Sequence, residues 1–107
     1  MTAREFVKND QDKPAAHLLP TVALEAIAQV LAFGARKYAP NGWRKVDKRT
    51  RYYGATLRHL FAWHRGETLD PESGLPHLAH AACSLLFLLE SELSGFGEDD
   101  RPTTGGK

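Results

Sequence analysis

Three stretches of the chain carry hydrophobic residues at the spacing of an amphipathic helix. They cover residues 20–38, 50–65 and 76–93, and apolar side chains recur in each at three- or four-residue intervals. Gly66 and Gly95 follow the second and third stretches, where a helix commonly ends. No alternating pattern typical of a β-strand is present. The sequence therefore predicts an all-α fold with about three main helices.

The second and third predicted helices have more apolar surface than three short helices can cover. Between Ala81 and Leu89 the third is apolar on nearly every side, and such a helix must be covered on most faces. An apolar stripe of the second helix is also expected to be buried, and it consists of Tyr53, Leu57, Leu60 and Phe61. We therefore expect a small bundle that is completed by oligomerisation, as a homodimer or homotetramer.

The chain of 107 residues is long enough for one domain with a single core. Residues 1–12 and 96–107 are polar or rich in charge and glycine, which is typical of flexible ends. We therefore expect one helical domain at residues 13–95 between a flexible N-terminal segment and a flexible C-terminal tail.

The composition indicates a soluble protein of a reducing compartment. A single cysteine, Cys83, lies in an apolar run, so no disulfide framework can form and a role as a small core residue is favoured over a nucleophile. The run at 81–89 is too short to span a membrane, and the charged N-terminal residues do not resemble a signal peptide. We expect a cytoplasmic protein with no membrane partner.

Positive charge is concentrated in the middle of the chain, although the formal net charge is only +1. Residues 36–65 contain nine lysines and arginines and one acid, Asp47. This segment suits an anionic partner such as phosphate groups, although a solvated basic face is an equal alternative on charge alone.

Acids and histidines crowd the stretch GETLDPESGLPHLAH, which precedes the apolar run. They are Glu67, Asp70, Glu72, His77 and His80. His77 and His80 are three residues apart on a predicted helix and face the same side. An alternative is that Asp70 is no more than a helix cap and that the two histidines are part of a polar stripe on the helix, as is often the case at this spacing. Three carboxylates exceed what a cap needs, however, and a divalent ion would offset their repulsion, so we favour a metal site.

Cationic, polar and aromatic residues outside this stretch are candidates for binding a nucleotide. They are Lys13, Lys37, Asn41, Trp43, Arg44, Arg58 and His59. Lys37 and Arg44 could hold phosphates while Trp43 stacks on a base. An equal alternative is that Trp43 fills the edge of the core beneath its loop. His59 is the better candidate for a site between helices, because His64 lies on another face of the second helix.

The motifs DKP, LLP, FGARKY, NGWR, DPESGLPHLAHAAC and LLFLLE resemble the dATP/dGTP diphosphohydrolase family, which is common in bacteriophages. The resemblance covers roughly residues 12–90 and implies an all-α fold of the MazG-like nucleoside triphosphate pyrophosphatase type. It also implies hydrolysis of a purine deoxynucleoside triphosphate, dGTP or dATP, to the monophosphate and pyrophosphate. The implied cofactor is Mg²⁺ or a similar divalent ion.

The chain departs from the acidic metal motifs of MazG-type enzymes. The Glu-Glu-x-x-Glu and Glu-x-x-Asp motifs are absent, Glu25 is at best a remnant of the first, and His77 and His80 occupy the position of the second. Imidazole is a poor ligand for Mg²⁺, so Mn²⁺, Co²⁺ or Zn²⁺ could also serve. The expected metal ligands are Glu67, Asp70, His77 and His80.

The mechanism that we expect is metal-assisted hydrolysis of a phosphoanhydride bond. Glu72, or another carboxylate that does not ligate the metal, would accept the proton of the attacking water. Lys13, Lys37, Arg44 and Arg58 would neutralise the triphosphate, and Trp43 or one of Tyr52 and Tyr53 would stack on the purine. Two alternatives remain at this stage. One is a module that binds nucleotide or nucleic acid without catalysis, and the other is a purely structural oligomeric protein. Stable nucleic-acid binding is disfavoured by the neighbouring carboxylates.

Overall fold

The computed structural model describes residues 11–103, and its main elements are three α-helices. Helix α1 spans Thr21–Lys37, α2 spans Thr50–His64 and α3 spans His77–Ser94. Short 3-10 helices lie at Ala16–Leu18 and Gly42–Lys45. Residues 11–103 contain isolated β-bridges but no strand. The predicted all-α class and the three main helices are confirmed.

The helix ends lie within one residue of the predicted positions, because local turn chemistry sets them. Gly95 adopts a left-handed backbone conformation with φ 83°, and its N–H donates to the Ser91 carbonyl at 2.9 Å. Glycine adopts this conformation without a steric penalty from Cβ, so α3 ends here. Helix α1 ends before Tyr38, whose N–H donates to the Gly34 carbonyl at 2.8 Å.

Helix α3 forms the centre of the fold and packs against both α1 and α2. Val30 of α1 is buried against Ala79 and Cys83 of α3. Small residues on α3 let the neighbouring helices approach closely, and dense packing then gains dispersion energy. Burial raises the pKa of the Cys83 thiol to about 11, so this residue is a core residue rather than a reactive nucleophile.

The outward faces of the helices remain strongly apolar. On α3, Leu78, Leu85 and Leu89 lie on one face, and each is about half exposed. The stripe expected to be buried on α2 is largely at the surface of this single chain: Tyr53, Leu60 and Phe61 are exposed and Leu57 is half-buried. That expectation was wrong because α2 turns its other face, with the half-buried Tyr52, Thr56 and His59, toward the rest of the chain. No described helix is long and apolar enough to cross a membrane.

The segment after α3 is hydrogen bonded to the start of α2. The N–H of Glu98 donates to the Asp47 carbonyl at 2.8 Å, and Arg49 donates its N–H to the Glu98 carbonyl at 3.0 Å. The Asp100 carboxylate accepts from the N–H of Thr50 at 3.0 Å and also from its hydroxyl. The division of the chain at residues 12 and 95 stays a prediction, and most of the expected N-terminal segment lies outside the described residues.

The Arg49 side chain links the same segment to the interior. Its Nε donates to the Ser91 hydroxyl at 2.9 Å, and its guanidinium also donates to the Ser91 carbonyl at 3.2 Å. Ser91 is fully buried and donates its hydroxyl hydrogen to the Phe96 carbonyl. A buried hydroxyl that both donates and accepts avoids the cost of an unsatisfied polar group.

Replacing Asp100 by alanine is expected to destabilise the fold. The substitution leaves the Thr50 N–H, one of the unpaired donors at the start of α2, without its carboxylate acceptor, and the expected fall in thermal midpoint is about 4–8 °C. Thermal unfolding followed by circular dichroism measures it. Asp99→Ala is the matched control, because Asp99 pairs with the exposed Arg101 two residues away. Equal midpoints for the two variants would contradict the capping role.

Candidate active site

The acidic loop between α2 and α3 is held by backbone hydrogen bonds to both helices. Glu67 donates its N–H to the Ala62 carbonyl of α2 at 3.0 Å, and His77 donates its N–H to the Thr68 carbonyl at 2.9 Å. Within the loop, the Asp70 N–H donates to the Leu75 carbonyl at 2.8 Å. Helix α3 begins after Pro76 without a side-chain cap, so Asp70 does not cap it. Asp70 instead closes the turn within the loop.

His77 is the buried centre of the histidine cluster, with only 4% of its surface exposed. Its Nε2 lies 2.6 Å from Oε1 of Glu67, and its Nδ1 lies 2.9 Å from Nδ1 of His59. A carboxylate can only accept, so a neutral His77 donates from Nε2 and has its lone pair on Nδ1. His59 then donates from Nδ1. The assignment of both tautomers follows from the Glu67 contact.

His80 completes the cluster. Its ring stacks on His59 with centroids 4.7 Å apart and planes 12° apart, and its Nε2 lies 2.7 Å from the Ser73 hydroxyl. The Asp70 carboxylate lies 3.8 Å from the same Nε2 and accepts the Ser73 N–H at 2.9 Å. Three imidazoles and one largely buried carboxylate are therefore brought together by α2, α3 and the loop.

The environment favours neutral imidazoles at His59 and His80 and an ionised carboxylate at Asp70. Burial, together with the imidazoles of His80 and His77, lowers the pKa of His59. Burial also lowers the pKa of His80, although the negative charge of Asp70 acts in the opposite direction. Burial by itself would raise the pKa of Asp70, but hydrogen bonds from Ser73 and the nearby imidazoles lower it overall. Metal ions bind these same forms, the neutral imidazole and the carboxylate.

One subset of the cluster has the arrangement of a metal-binding group. One potential ligand atom each from His59, Asp70 and His77 lies within 4.8 Å of the other two. This spacing is close to what a shared ion with bonds of about 2.0–2.1 Å to each ligand atom would require. The Glu67 contact on the far nitrogen of His77 is also the usual support of a metal-ligating histidine. The residues fit a divalent ion that accepts nitrogen ligands.

The three carboxylates of the loop do not form one cluster. Glu67 contacts His77, Asp70 contacts Ser73 and His80, and Glu72 forms an ion pair with Lys37 at the end of α1. Mutual repulsion, from which the sequence argument inferred a metal, is therefore relieved by separate partners. The candidate metal-binding group joins Asp70 of the loop to one histidine from each of α2 and α3.

A cleft of about 1060 Å³ lies between α1, α3 and the loop that connects α1 to α2. Several of the candidate site residues line it: Lys37, Asn41, Trp43, Arg44, His59, Asp70, Glu72 and His80. The floor is largely apolar and includes Val30, Leu86 and Phe87. Four candidates are not part of the lining, and these are Lys13, Arg58, Glu67 and His77. Lys13 and Arg58 are exposed, whereas His77 and Glu67 belong to the cluster beside the cleft.

Trp43 is packed by protein groups. Its ring stacks on Phe87 with centroids 4.5 Å apart and planes 7° apart, and the Arg44 guanidinium carbon lies 4.3 Å from its centroid. Phe96 lies 5.8 Å away, and the Trp43 carbonyl accepts the Tyr52 hydroxyl. This arrangement matches the alternative in which Trp43 fills the edge of the core rather than stacking on a base.

Two features of the site were not predicted from the sequence. Ser73 links Asp70 to His80, and His59 joins the metal-binding group although only a substrate-binding role was expected for it. A signal for His59 was present, since it shares a helix face with Tyr52 and Thr56 at helical spacing. Nothing local in the sequence marked Ser73.

The fold and the cleft define a small all-α domain with a histidine–carboxylate group beside a cleft whose lining includes Lys37 and Arg44. Its residues 4–101 match the family model described as dATP/dGTP diphosphohydrolase, N-terminal, and the chain belongs to this family. The resemblance inferred from the motifs is thereby confirmed.

One relative shows how much of a longer protein the similarity covers. A dATP/dGTP diphosphohydrolase of Salmonella phage PMBT28 is 37% identical over 82 residues, which are 77% of this chain and 28% of the relative. The chain therefore spans less than a third of the length of that relative. No solved structure matches the chain.

Acidic pH is expected to destabilise the fold. His59 and His80 have folded pKa values below the ordinary 6.5, so the unfolded chain binds protons more readily. The stability that this difference provides is present above about pH 6.5 and is lost as the pH falls through the folded pKa values. Urea unfolding in the presence of a chelator should give a lower midpoint at pH 5.5 than at pH 7.5.

His59→Gln should reduce this pH dependence, because it removes one of the two titrating groups. His64→Gln is the matched control, since His64 is an exposed histidine of the same helix. An unchanged midpoint between the two pH values in the wild-type protein would refute the explanation.

Proposed function

We propose that this chain carries a metal-dependent activity that hydrolyses dATP or dGTP to the monophosphate and pyrophosphate. The observation that supports it best is the cleft, in which His59, Asp70 and His80 lie together with Lys37 and Arg44. A triphosphate needs cations for its negative charge and a group that activates water, and this cleft offers residues for both. The family of the chain and the name of its phage relative support the choice of substrate.

In this proposal His59, Asp70 and His77 hold the divalent ion. When bound, the ion would supply Lewis-acid chemistry at the phosphate and lower the pKa of the attacking water. The Glu67 carboxylate orients His77 by accepting the hydrogen of Nε2, which leaves Nδ1 free for the ion. Nδ1 of His77 accepts the His59 hydrogen bond, so an ion bound at that nitrogen would replace this hydrogen bond.

The ion pair of Lys37 and Glu72 connects α1 to the acidic loop at the cleft. Phosphate oxygens would compete for the Lys37 ammonium, and Lys37 and Arg44 together would neutralise the triphosphate. A shift of Lys37 toward phosphate releases the exposed Glu72 carboxylate, which can then accept the proton of the attacking water. Substrate binding and the supply of a general base are thus coupled through one ion pair.

Replacing either central histidine is expected to abolish most of the activity. His59→Ala and His77→Ala each remove a proposed metal ligand and should reduce pyrophosphate release from dGTP or dATP by about 100-fold or more. The assay uses purified protein with each deoxynucleoside triphosphate and Mg²⁺ or Mn²⁺. His64→Ala is the control, because His64 is exposed on the same helix.

His80→Ala separates two ligand sets. The set expected from the sequence includes His80, whereas the set with the closest geometry does not. If turnover at saturating metal recovers in His80→Ala but not in His59→Ala, the ligand set of His59, Asp70 and His77 is favoured. Wild-type turnover in both His59→Ala and His77→Ala would exclude the proposed metal site.

We further propose that two or more copies of the chain associate through the exposed leucines of α3. Leu78, Leu85 and Leu89 form an apolar stripe on one face of the helix, and contiguous apolar surface of this kind is typical of an interface. An isologous contact between copies would bury the stripe against itself. A homodimer or homotetramer would result.

Leu85→Lys is expected to convert the assembly to monomers, because it places a charge in the centre of the stripe. Leu85 does not line the cleft, so the proposed site is left intact. Light scattering after gel filtration measures the mass. Val22→Lys, an equally drastic change at an exposed position of α1, should leave the mass unchanged. A monomeric wild-type protein would refute the association.

A second candidate is a domain that binds nucleotide without cleaving it. The departure of the chain from acidic metal motifs favours this alternative, because imidazole ligands bind Mg²⁺ poorly. Nucleotide binding without release of pyrophosphate under any divalent ion would support it.

A further inference from the structure

The cleft is lined by five aromatic side chains, of which four pack against another aromatic or imidazole ring. Trp43 and Phe87 stack on each other, and Tyr52 packs against Phe87 with centroids 5.4 Å apart. Phe33 meets the ring of His80 edge to face, with centroids 6.3 Å apart and planes 87° apart. The fifth, Tyr38, is 76% exposed.

Tyr38 stands directly beside the cation that would bind phosphate. Its ring centroid is 5.2 Å from Nζ of Lys37, and its backbone is held by the hydrogen bond to Gly34 at the end of α1. The ring therefore projects from a fixed helix end and is not buried. Exposed aromatic side chains next to a cation are a combination that suits a nucleotide, which presents a flat base and a charged phosphate chain.

We propose that Tyr38 is the residue on which the base of the nucleotide stacks. The assignment rests on the proposed function in so far as the ligand is a nucleotide, and it replaces Trp43, whose ring is already packed. Stacking on a base requires only an accessible flat ring. Tyr38 meets this requirement, and a purine gains most from it because its two fused rings offer the larger face.

The test compares ligands with and without a base. Binding of a dGTP analogue with a non-hydrolysable α,β-methylene bridge, and of inorganic tripolyphosphate, is measured by calorimetry. Tyr38→Ala should weaken binding of the analogue by about 5- to 150-fold, the range found for loss of one base stack. Binding of tripolyphosphate should stay within about twofold, because the phosphate-binding cations are unchanged. Tyr38→Phe should bind the analogue like the wild type, since the ring is retained.

Tyr53→Ala is the matched control. Tyr53 is also an exposed tyrosine, but it lies on α2 and does not line the cleft. Wild-type affinity of Tyr38→Ala for the analogue would overturn the proposal. An equal loss of analogue and tripolyphosphate binding would also overturn it, because Tyr38 would then act through Lys37. Thermal unfolding of each variant shows whether it is folded.

Failure of the stacking role of Tyr38 can be distinguished from failure of the proposed hydrolysis. If the wild-type protein releases pyrophosphate and Tyr38→Ala keeps the wild-type KM, only the stacking role fails. If the wild-type protein binds the analogue but cleaves no nucleotide, and Tyr38→Ala binds the analogue more weakly, only the proposed hydrolysis fails. If the wild-type protein binds neither the analogue nor tripolyphosphate, both fail.

Discussion

The burial of His77 is the constraint on which the arrangement of α2, α3 and the acidic loop depends. An imidazole that is almost fully removed from water must have partners for both nitrogens, or it costs the fold the desolvation of a polar group. Glu67 supplies one partner and His59 the other. These contacts require α2 to present His59 to the start of α3 and require the loop to turn back toward the helix. The fold and the candidate metal site therefore share one set of contacts.

The same constraint gives the acids of the loop different environments. Glu67 is used to satisfy His77, Asp70 is held by Ser73, and Glu72 extends outward to Lys37. The site therefore has an ionised and largely buried carboxylate, Asp70, beside the histidines and an exposed ion pair, Lys37–Glu72, toward the solvent. Ion pairs between exposed groups contribute little to stability. The Lys37–Glu72 pair can therefore exchange for other partners without loss of the fold.

The apolar faces of the helices and the cleft reflect a core that one chain fills only in part. Helix α3 buries small residues such as Ala79 and Cys83 against its neighbours, while its leucine face remains open. Close packing of small residues brings helices together but buries little apolar area. Because the stabilisation from burial is proportional to the apolar area removed from water, such a core contributes little. A large cleft lined by partly exposed aromatic rings is a consequence of the same limited core.

Much of the fold was determined by the sequence alone, because helix formation and termination depend on neighbouring residues. The helical spacing of apolar residues and Gly66 and Gly95 placed each helix within a residue or so. The motifs around His77 and His80 also identified the family. Only the tertiary structure decided which face of α2 is inward and that Trp43 is packed. It also decided that His59 rather than Glu67 joins Asp70 and His77 in the candidate metal-binding group. These outcomes depend on contacts between residues 18 to 44 positions apart, such as the His59–His77 and Trp43–Phe87 pairs, and helix packing rather than local spacing selects them.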